Sequence, residues 1–180
     1  MRIILVGFMS CGKSTIGKQL ARRMNMESFD IDEAFESKYK MTINNFFELF
    51  GENKFRELEH GILMESLKQD NVIISTGGGT PCFYNNMQII NNNGISVYLK
   101  LHPKSIIDRL LNTKRQRPLL KNFTPEELSS FVYTQLSKRE SYYSQSRFIF
   151  PIENKKPNEV YSLLKQSFDE IGLVFPTVQI

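Results

Sequence analysis

The stretch RIILVGFMSCGKST, residues 2–15, decides the fold. Its opening, RIILVG at 2–7, is a continuous apolar run ending in glycine, which reads as a strand buried on both faces of a parallel sheet. From Gly12 the pattern turns helical, with Ile16, Leu20 and Met24 on one face and Lys18, Arg22 and Arg23 on the other. Between the two, GFMSCGKS at 7–14 satisfies G-x-x-x-x-G-K-[ST] in full, in the strand–loop–helix context that pattern requires. Gly7 and Gly12 let the backbone curl so that successive N–H groups point inward, and the helix N-terminus adds a partial positive charge beneath them. Ser10, Cys11, Gly12, Lys13, Ser14 and Thr15 are therefore the candidate cradle for the phosphates of ATP. Lys13 is placed to reach the β and γ phosphates, and the Ser14 hydroxyl is placed to ligate Mg2+. A glycine-rich turn with a chance lysine is the bland alternative, and the flanking strand and helix speak against it.

Outward from this unit, strands are expected at 27–31, 71–76, 95–101 and 147–152. Helical patterns run through Phe35, over 42–50, and from 52 to about 68, with Gly51 separating the last two. Pro103 begins a helix reaching about Leu111, and a closing helix covers about 157–171. Another starts at Thr124 with good capping chemistry: Thr124 at the N-cap, Pro125 at the first helical position and Glu127 three residues after the cap. Strands alternating with helices imply an α/β fold, a three-layer α/β/α sandwich with a five-stranded parallel sheet and ligands at the carboxyl ends of its strands. No internal repeat or low-complexity tract interrupts it.

At 180 residues, with 41% hydrophobic and 23% charged residues, the chain suits a single domain over 1–180. No apolar run approaches the roughly 18 residues that span a bilayer. Met1 leads straight into the first strand without signal-peptide architecture, so a cytoplasmic protein with no membrane association is expected. Cys11 and Cys82 are expected to be free thiols, since Cys11 lies inside the phosphate loop. The net charge of +4 and pI of about 9.0 come from scattered lysines and arginines. A nucleic-acid partner is not expected, because no basic block or recognition motif accompanies that charge, and an anionic small substrate suits it. The tightest cationic cluster is Lys114, Arg115 and Arg117 beside Lys121, in a polar stretch without usable periodicity that reads as a loop.

Three features bear on the second substrate. In ESFDID, residues 27–32, Asp30 and Asp32 lie two apart on or just past a strand and are expected on one side at its carboxyl end. One could meet magnesium through water and the other an acceptor hydroxyl, although Asp32 could equally be a plain helix N-cap. In FRELEH, residues 55–60, Arg56, Glu59 and His60 share one helical face. Arg56 there could fork onto a carboxylate, or merely pair on the surface with Glu59 or His60. Gly77, Gly78 and Gly79 follow a strand, and close approach of a ligand to bare backbone explains three glycines better than packing does, with a flexible tight turn as the alternative.

Taken in order, GFMSCGKST, FDIDEAFE, FRELEH at 55–60, STGGG at 75–79, RPLL at 117–120 and KRESYY at 138–143 resemble the shikimate kinase family, of the nucleoside monophosphate kinase fold. The resemblance covers Arg2 to about Pro157. It implies ATP-dependent phosphorylation of shikimate to shikimate 3-phosphate, in the route to chorismate and the aromatic amino acids, with ATP as donor and Mg2+ as cofactor. It implies that Asp32 holds ring hydroxyls and serves as the candidate base, that Arg56 and Arg139 clasp the substrate carboxylate, and that Gly77, Gly78 and Gly79 present backbone N–H groups. Glu59 would orient Arg56, and Phe47 and Phe55 would form an apolar wall. Asp30 joins Ser14 on the metal side. Arg117 would swing in with a mobile lid at about 112–124, while Arg109 and the turn from Lys155 to Pro157 flank the adenine. The substrate-binding region then spans about 32–62, and shikimate and ATP are the only partners expected of a monomer. Ser10 and Cys11 stand where the family carries glycine or alanine, which keeps the backbone requirement of the loop. Within the fold, a gluconate kinase or a nucleotide kinase is the rival; outside it, a nucleotide-dependent regulator that has lost transfer chemistry. Asp32, Arg56 and Arg139 speak against a nucleotide acceptor, and with Arg117 against a regulator.

Overall fold

The computed structural model describes residues 1–112 and 123–173. Lys114, Arg115, Arg117 and Lys121, most of the expected lid and the tail VFPTVQI at 174–180 lie outside the described residues. Five strands form one parallel sheet: β1 (Arg2–Val6), β2 (Glu27–Asp30), β3 (Val72–Ser75), β4 (Ile95–Lys100) and β5 (Phe148–Pro151), in the order β2-β3-β1-β4-β5. The helices are α1 (Lys13–Met24), α2 (Ile31–Tyr39), α3 (Ile43–Ser66), α4 (Asn86–Asn93), α5 (Pro103–Asn112), α6 (Pro125–Tyr143) and α7 (Pro157–Glu170), with a short 3-10 turn at Thr80–Cys82.

Ile3, Ile4, Leu5 and Val6 of β1 are wholly buried, as are Val72, Ile73 and Ile74 of β3, because these strands are covered on both faces. A parallel strand reaches its neighbour only by a crossover, so helices fill the intervals that the sequence assigns to them. β1 sits at the centre, flanked by β3 and β4, and its exit loop falls in the middle of the carboxyl edge. Thr76 fastens the exit of β3 to that of β1: both its N–H and its hydroxyl donate to the Leu5 carbonyl, at 3.1 and 3.0 Å.

Gly51 breaks α3 as expected, at φ 77° and ψ 170°, so the chain forms a short helix over 43–50 and restarts it at 52. The Thr124 capping box is present, with Glu127 N–H donating to Thr124 Oγ1 at 3.2 Å and Thr124 N–H donating to Glu127 Oε2 at 2.8 Å. Both cysteines are free. Among the described residues, no helix is long and apolar enough to cross a membrane.

Gly17 lets α1 lie close on the sheet: a Cβ there would stand 2.6 Å from Ser75 Oγ and 3.3 Å from Leu5 Cδ1. Ser75 Oγ cannot swing away freely, since it donates to the Lys13 carbonyl at 3.2 Å. Gly17→Ala is expected to overpack this seam and lower stability by about 1 to 3 kcal/mol, read as a fall in the urea midpoint at unchanged slope.

Candidate active site

Two loops meet at the carboxyl edge. The first follows β1, where Gly7 adopts φ 147° and a Cβ would stand 2.8 Å from the Leu99 carbonyl oxygen. Gly12, at φ 99°, begins α1 with no side-chain cap, which leaves the first N–H groups of the helix for another acceptor. Lys13 is buried and folds back over the loop, with Nζ donating to the carbonyls of Gly7 and Phe8 at 2.8 and 3.0 Å. Ser14 and Thr15 follow on the first turn, both exposed. Ser10 takes φ 61°, and Cys11 is buried beside Lys13. Arg109, from α5, points Nη1 at the carbonyls of Ser10 and Cys11 at 3.4 and 3.3 Å. These residues put two cations beside a helix N-terminus that has no side-chain cap, the electrostatic form of a polyphosphate cradle. Lys155 stands apart, exposed in the turn after β5.

The second loop is the glycine run after β3. A Cβ on Gly78 would stand 3.2 Å from Met9 N and 3.5 Å from Arg139 Nη1, so this segment touches the phosphate loop directly. Packing within the chain, which the sequence ranks below the close approach of a ligand, accounts for Gly77 and Gly79. A Cβ on Gly79 would sit 2.4 to 2.6 Å from the Arg56 guanidinium, and one on Gly77 would sit 2.7 Å from Glu59 Oε1 and 2.8 Å from Asp32 Oδ1. The chain's own charged side chains fill that space, and none of the three glycines has a left-handed φ.

Arg56 and Glu59 are buried, 8% and 1% exposed, which rejects the surface-pairing alternative. Arg56 Nη1 donates to Glu59 Oε2 at 2.8 Å, and Thr80 Oγ1 donates to Glu59 Oε1 at 2.6 Å. His60 takes no part in this pair; its Nδ1 lies 2.6 Å from Asn86 Oδ1. Burial works against the charge of Arg56, but Glu59 and Glu52 together outweigh it and hold the guanidinium above its ordinary range. The rings of Phe83, Phe55 and Phe47 pack around it at 4.5, 5.0 and 5.8 Å, and Phe47 and Phe55 lie tilted at 37° to each other with centroids 4.5 Å apart.

The strand argument for Asp30 and Asp32 also needs correction. β2 ends at Asp30 and the chain enters α2 at Ile31, so the alternation of a strand does not relate the two carboxylates. Asp30, not Asp32, is the N-cap: its Oδ1 accepts the N–H groups of Asp32 and Glu33 at 3.0 and 3.2 Å. Asp32 is left in the first helical turn, its carboxylate over Gly77. A serine hydroxyl and a carboxylate are the hard oxygen donors that Mg2+ takes beside phosphate, so Ser14 and Asp30 suit that ion in type.

Arg139, on α6, is half-buried, with Nη2 donating to Gln135 Oε1 at 3.2 Å and the guanidinium 5.5 Å from the Phe8 ring. Tyr143, one turn on, donates its hydroxyl to the Gly78 carbonyl. Burial pushes the Tyr143 phenol well up, which keeps it a donor. Cys82 stands in the same electrostatic surroundings, its thiol pushed up to about 11 by burial, against the pull of Arg139 and Arg56. Sequence reasoning gave no role to Phe83, Thr80, Glu52 or Tyr143. Only Tyr143 left a signal, inside KRESYY.

Residues 9–171 match the family model described as Shikimate kinase. A shikimate kinase of Azobacteroides pseudotrichonymphae is 44% identical over 160 residues, which cover 88% of this chain and 94% of that protein. The crystal structure of shikimate kinase from Bacteroides thetaiotaomicron superimposes with a TM-score of 0.90 at 38% identity, over 94% of this chain and 98% of that one. The structure of shikimate kinase from Acinetobacter baumannii in complex with shikimate gives 0.85 at 28% identity, over 96% and 95%.

The two carboxylates on Arg56 differ in burial, and their removal separates accordingly. Glu59→Ala strands a buried guanidinium and is expected to cost about 3 to 5 kcal/mol of unfolding free energy. Glu52→Ala, at an exposed carboxylate, is expected to cost no more than about 1 kcal/mol in the same denaturant titration.

Proposed function

The chain belongs to the shikimate kinase family, and on that premise we propose how its residues divide the work of phosphorylating shikimate with MgATP to give shikimate 3-phosphate. The donor half is the loop from Ser10 to Thr15, whose uncapped N–H groups and Lys13 take the polyphosphate. Ser14 and Asp30 would hold Mg2+, which would supply positive charge to offset the negative charge on the transferring group. Arg109 and Lys155 flank the nucleotide, with Arg109 nearer the phosphate loop than the adenine role alone suggests.

The acceptor half is Asp32, Arg56, the N–H groups of Gly77, Gly78 and Gly79, and Arg139. Arg56 and Arg139 take the carboxylate of shikimate, which fixes the ring against Phe47, Phe55 and Phe83. Asp32 accepts a hydrogen bond from the hydroxyl to be phosphorylated and receives its proton as the oxygen attacks the γ-phosphorus. Transfer is in line, and positioning with electrostatic stabilisation supplies most of the rate. Arg117 and the lid read from the sequence at about 112–124 stabilise charge on the transferring phosphoryl and exclude water. The protein acts as a monomer in the cytoplasm on these two small substrates, without nucleic acid or membrane.

Support comes above all from one observation: Asp32, Arg56 and Arg139 converge on the three-glycine segment, and that segment touches the phosphate loop. A coupled ADP-release assay over shikimate, gluconate and nucleoside monophosphates tests the acceptor. Turnover with shikimate alone is expected, and comparable turnover with another acceptor refutes the assignment. Asp32→Asn is expected to keep nucleotide affinity while kcat falls about 100- to 10,000-fold; near-normal kcat removes Asp32 from the chemistry. Arg56→Ala is expected to weaken shikimate binding by about 2 to 5 kcal/mol in calorimetric titration.

A further inference from the structure

The guanidinium of Arg56 is held by two carboxylates of unequal standing. Nη1 meets Glu59, whose side chain is 2% exposed and is fixed a second time by Thr80. Nε and Nη2 share a single oxygen of Glu52, at 3.2 and 3.1 Å, and the Glu52 side chain is 53% exposed. Those two distances exceed the roughly 2.7 to 2.9 Å of strong charge-assisted bonds, while the bond to Glu59, at 2.8 Å, does not.

Phenylalanine rings pack against the guanidinium, so an incoming anion has to approach along an edge. The edge carrying Nε and Nη2 can grip a carboxylate with two parallel N–H bonds, and it is the edge that Glu52 occupies. Glu52 is also the residue free to leave. It follows the Gly51 break, starts the second helical segment of α3, and can turn to solvent. Around Gly51 itself the space is open, with nothing within 4 Å of a Cβ built there.

We propose that Glu52 is an internal competitor for the substrate carboxylate, occupying the Nε/Nη2 edge of Arg56 in the free protein and displaced from it when shikimate binds. The inference rests on Arg56 being the carboxylate holder. It makes Glu52 a residue that sets acceptor affinity, because every binding event first breaks an ion pair.

The test is steady-state kinetics of Glu52→Gln, Glu52→Asp, Arg56→Ala and the double variant Arg56→Ala/Glu52→Gln. Glu52→Gln is expected to lower the shikimate KM about two- to fivefold, the change that corresponds to an exposed ion pair, with the MgATP KM within about twofold. Glu52→Asp, too short to span the gap, lowers it likewise. In the Arg56→Ala background the Glu52 substitution has no further effect, which shows that Glu52 acts through Arg56, and the fall in KM in the single variant is what a supporting role would not produce. A shikimate KM that stays level or rises in Glu52→Gln, while Arg56→Ala raises it strongly, shows that Glu52 steadies Arg56 instead and overturns the competitor. An unchanged KM in Arg56→Ala overturns the carboxylate-holder reading, and the competitor with it.

Discussion

Two backbone loops touching at the carboxyl edge of the sheet constrain everything else in this site. β1 and β3 are adjacent parallel strands, so their exits lie one strand spacing apart, roughly 4.8 Å. Thr76 draws them closer by donating twice to Leu5. The space left between Gly78 and Met9 admits no side chain without displacement, since a Cβ would come within 3.2 Å of the Met9 nitrogen. The phosphate loop and the glycine run are therefore neighbours whatever binds there. The loops carry little beyond backbone N–H groups and Lys13, and the other charged side chains at this edge are delivered by α2, α3, α5 and α6.

That delivery explains the buried charge. Arg56 could be replaced by an apolar residue if stability were the only demand, because desolvating an ion pair commonly offsets what its attraction returns. The structure instead holds the guanidinium between Glu59, itself fixed by Thr80, and Glu52, packs aromatic rings against it, and clears a seat for it at Gly79. Such a cation is rigid and already stripped of most of its water, which favours a carboxylate over a neutral acceptor. Arg139 reaches the same place from α6 with looser ties, including a 3.2 Å hydrogen bond to the Gln135 side chain and the Phe8 ring at 5.5 Å.

The sequence made the sheet, the crossovers and the phosphate loop legible because each rests on local pattern: apolar runs ending in glycine, a helical period after Gly12, the Thr124 capping box, the Gly51 break. Asp30 and Asp32 were harder, because one residue decided whether strand or helix geometry applied to the pair, and boundaries are the least local part of the pattern. The reason for Gly77 and Gly79 was hidden, since it lies in side chains brought from α2 and α3, as far away in sequence as Asp32 and Arg56. Nothing near Phe83 or Thr80 advertised a contact with the Arg56–Glu59 pair, which forms only when the turn after β3 folds back over α3.

The proposed site sets one substrate's phosphates over the curl from Ser10 to Thr15, and the other's carboxylate on Arg56 and Arg139 beside the glycine run. A crystal structure of this chain with ADP, Mg2+ and shikimate measures it directly. The shikimate carboxylate is expected within hydrogen-bond reach of both guanidinium groups, with a ring hydroxyl on Asp32. Shikimate bound with its carboxylate away from both arginines would contradict it.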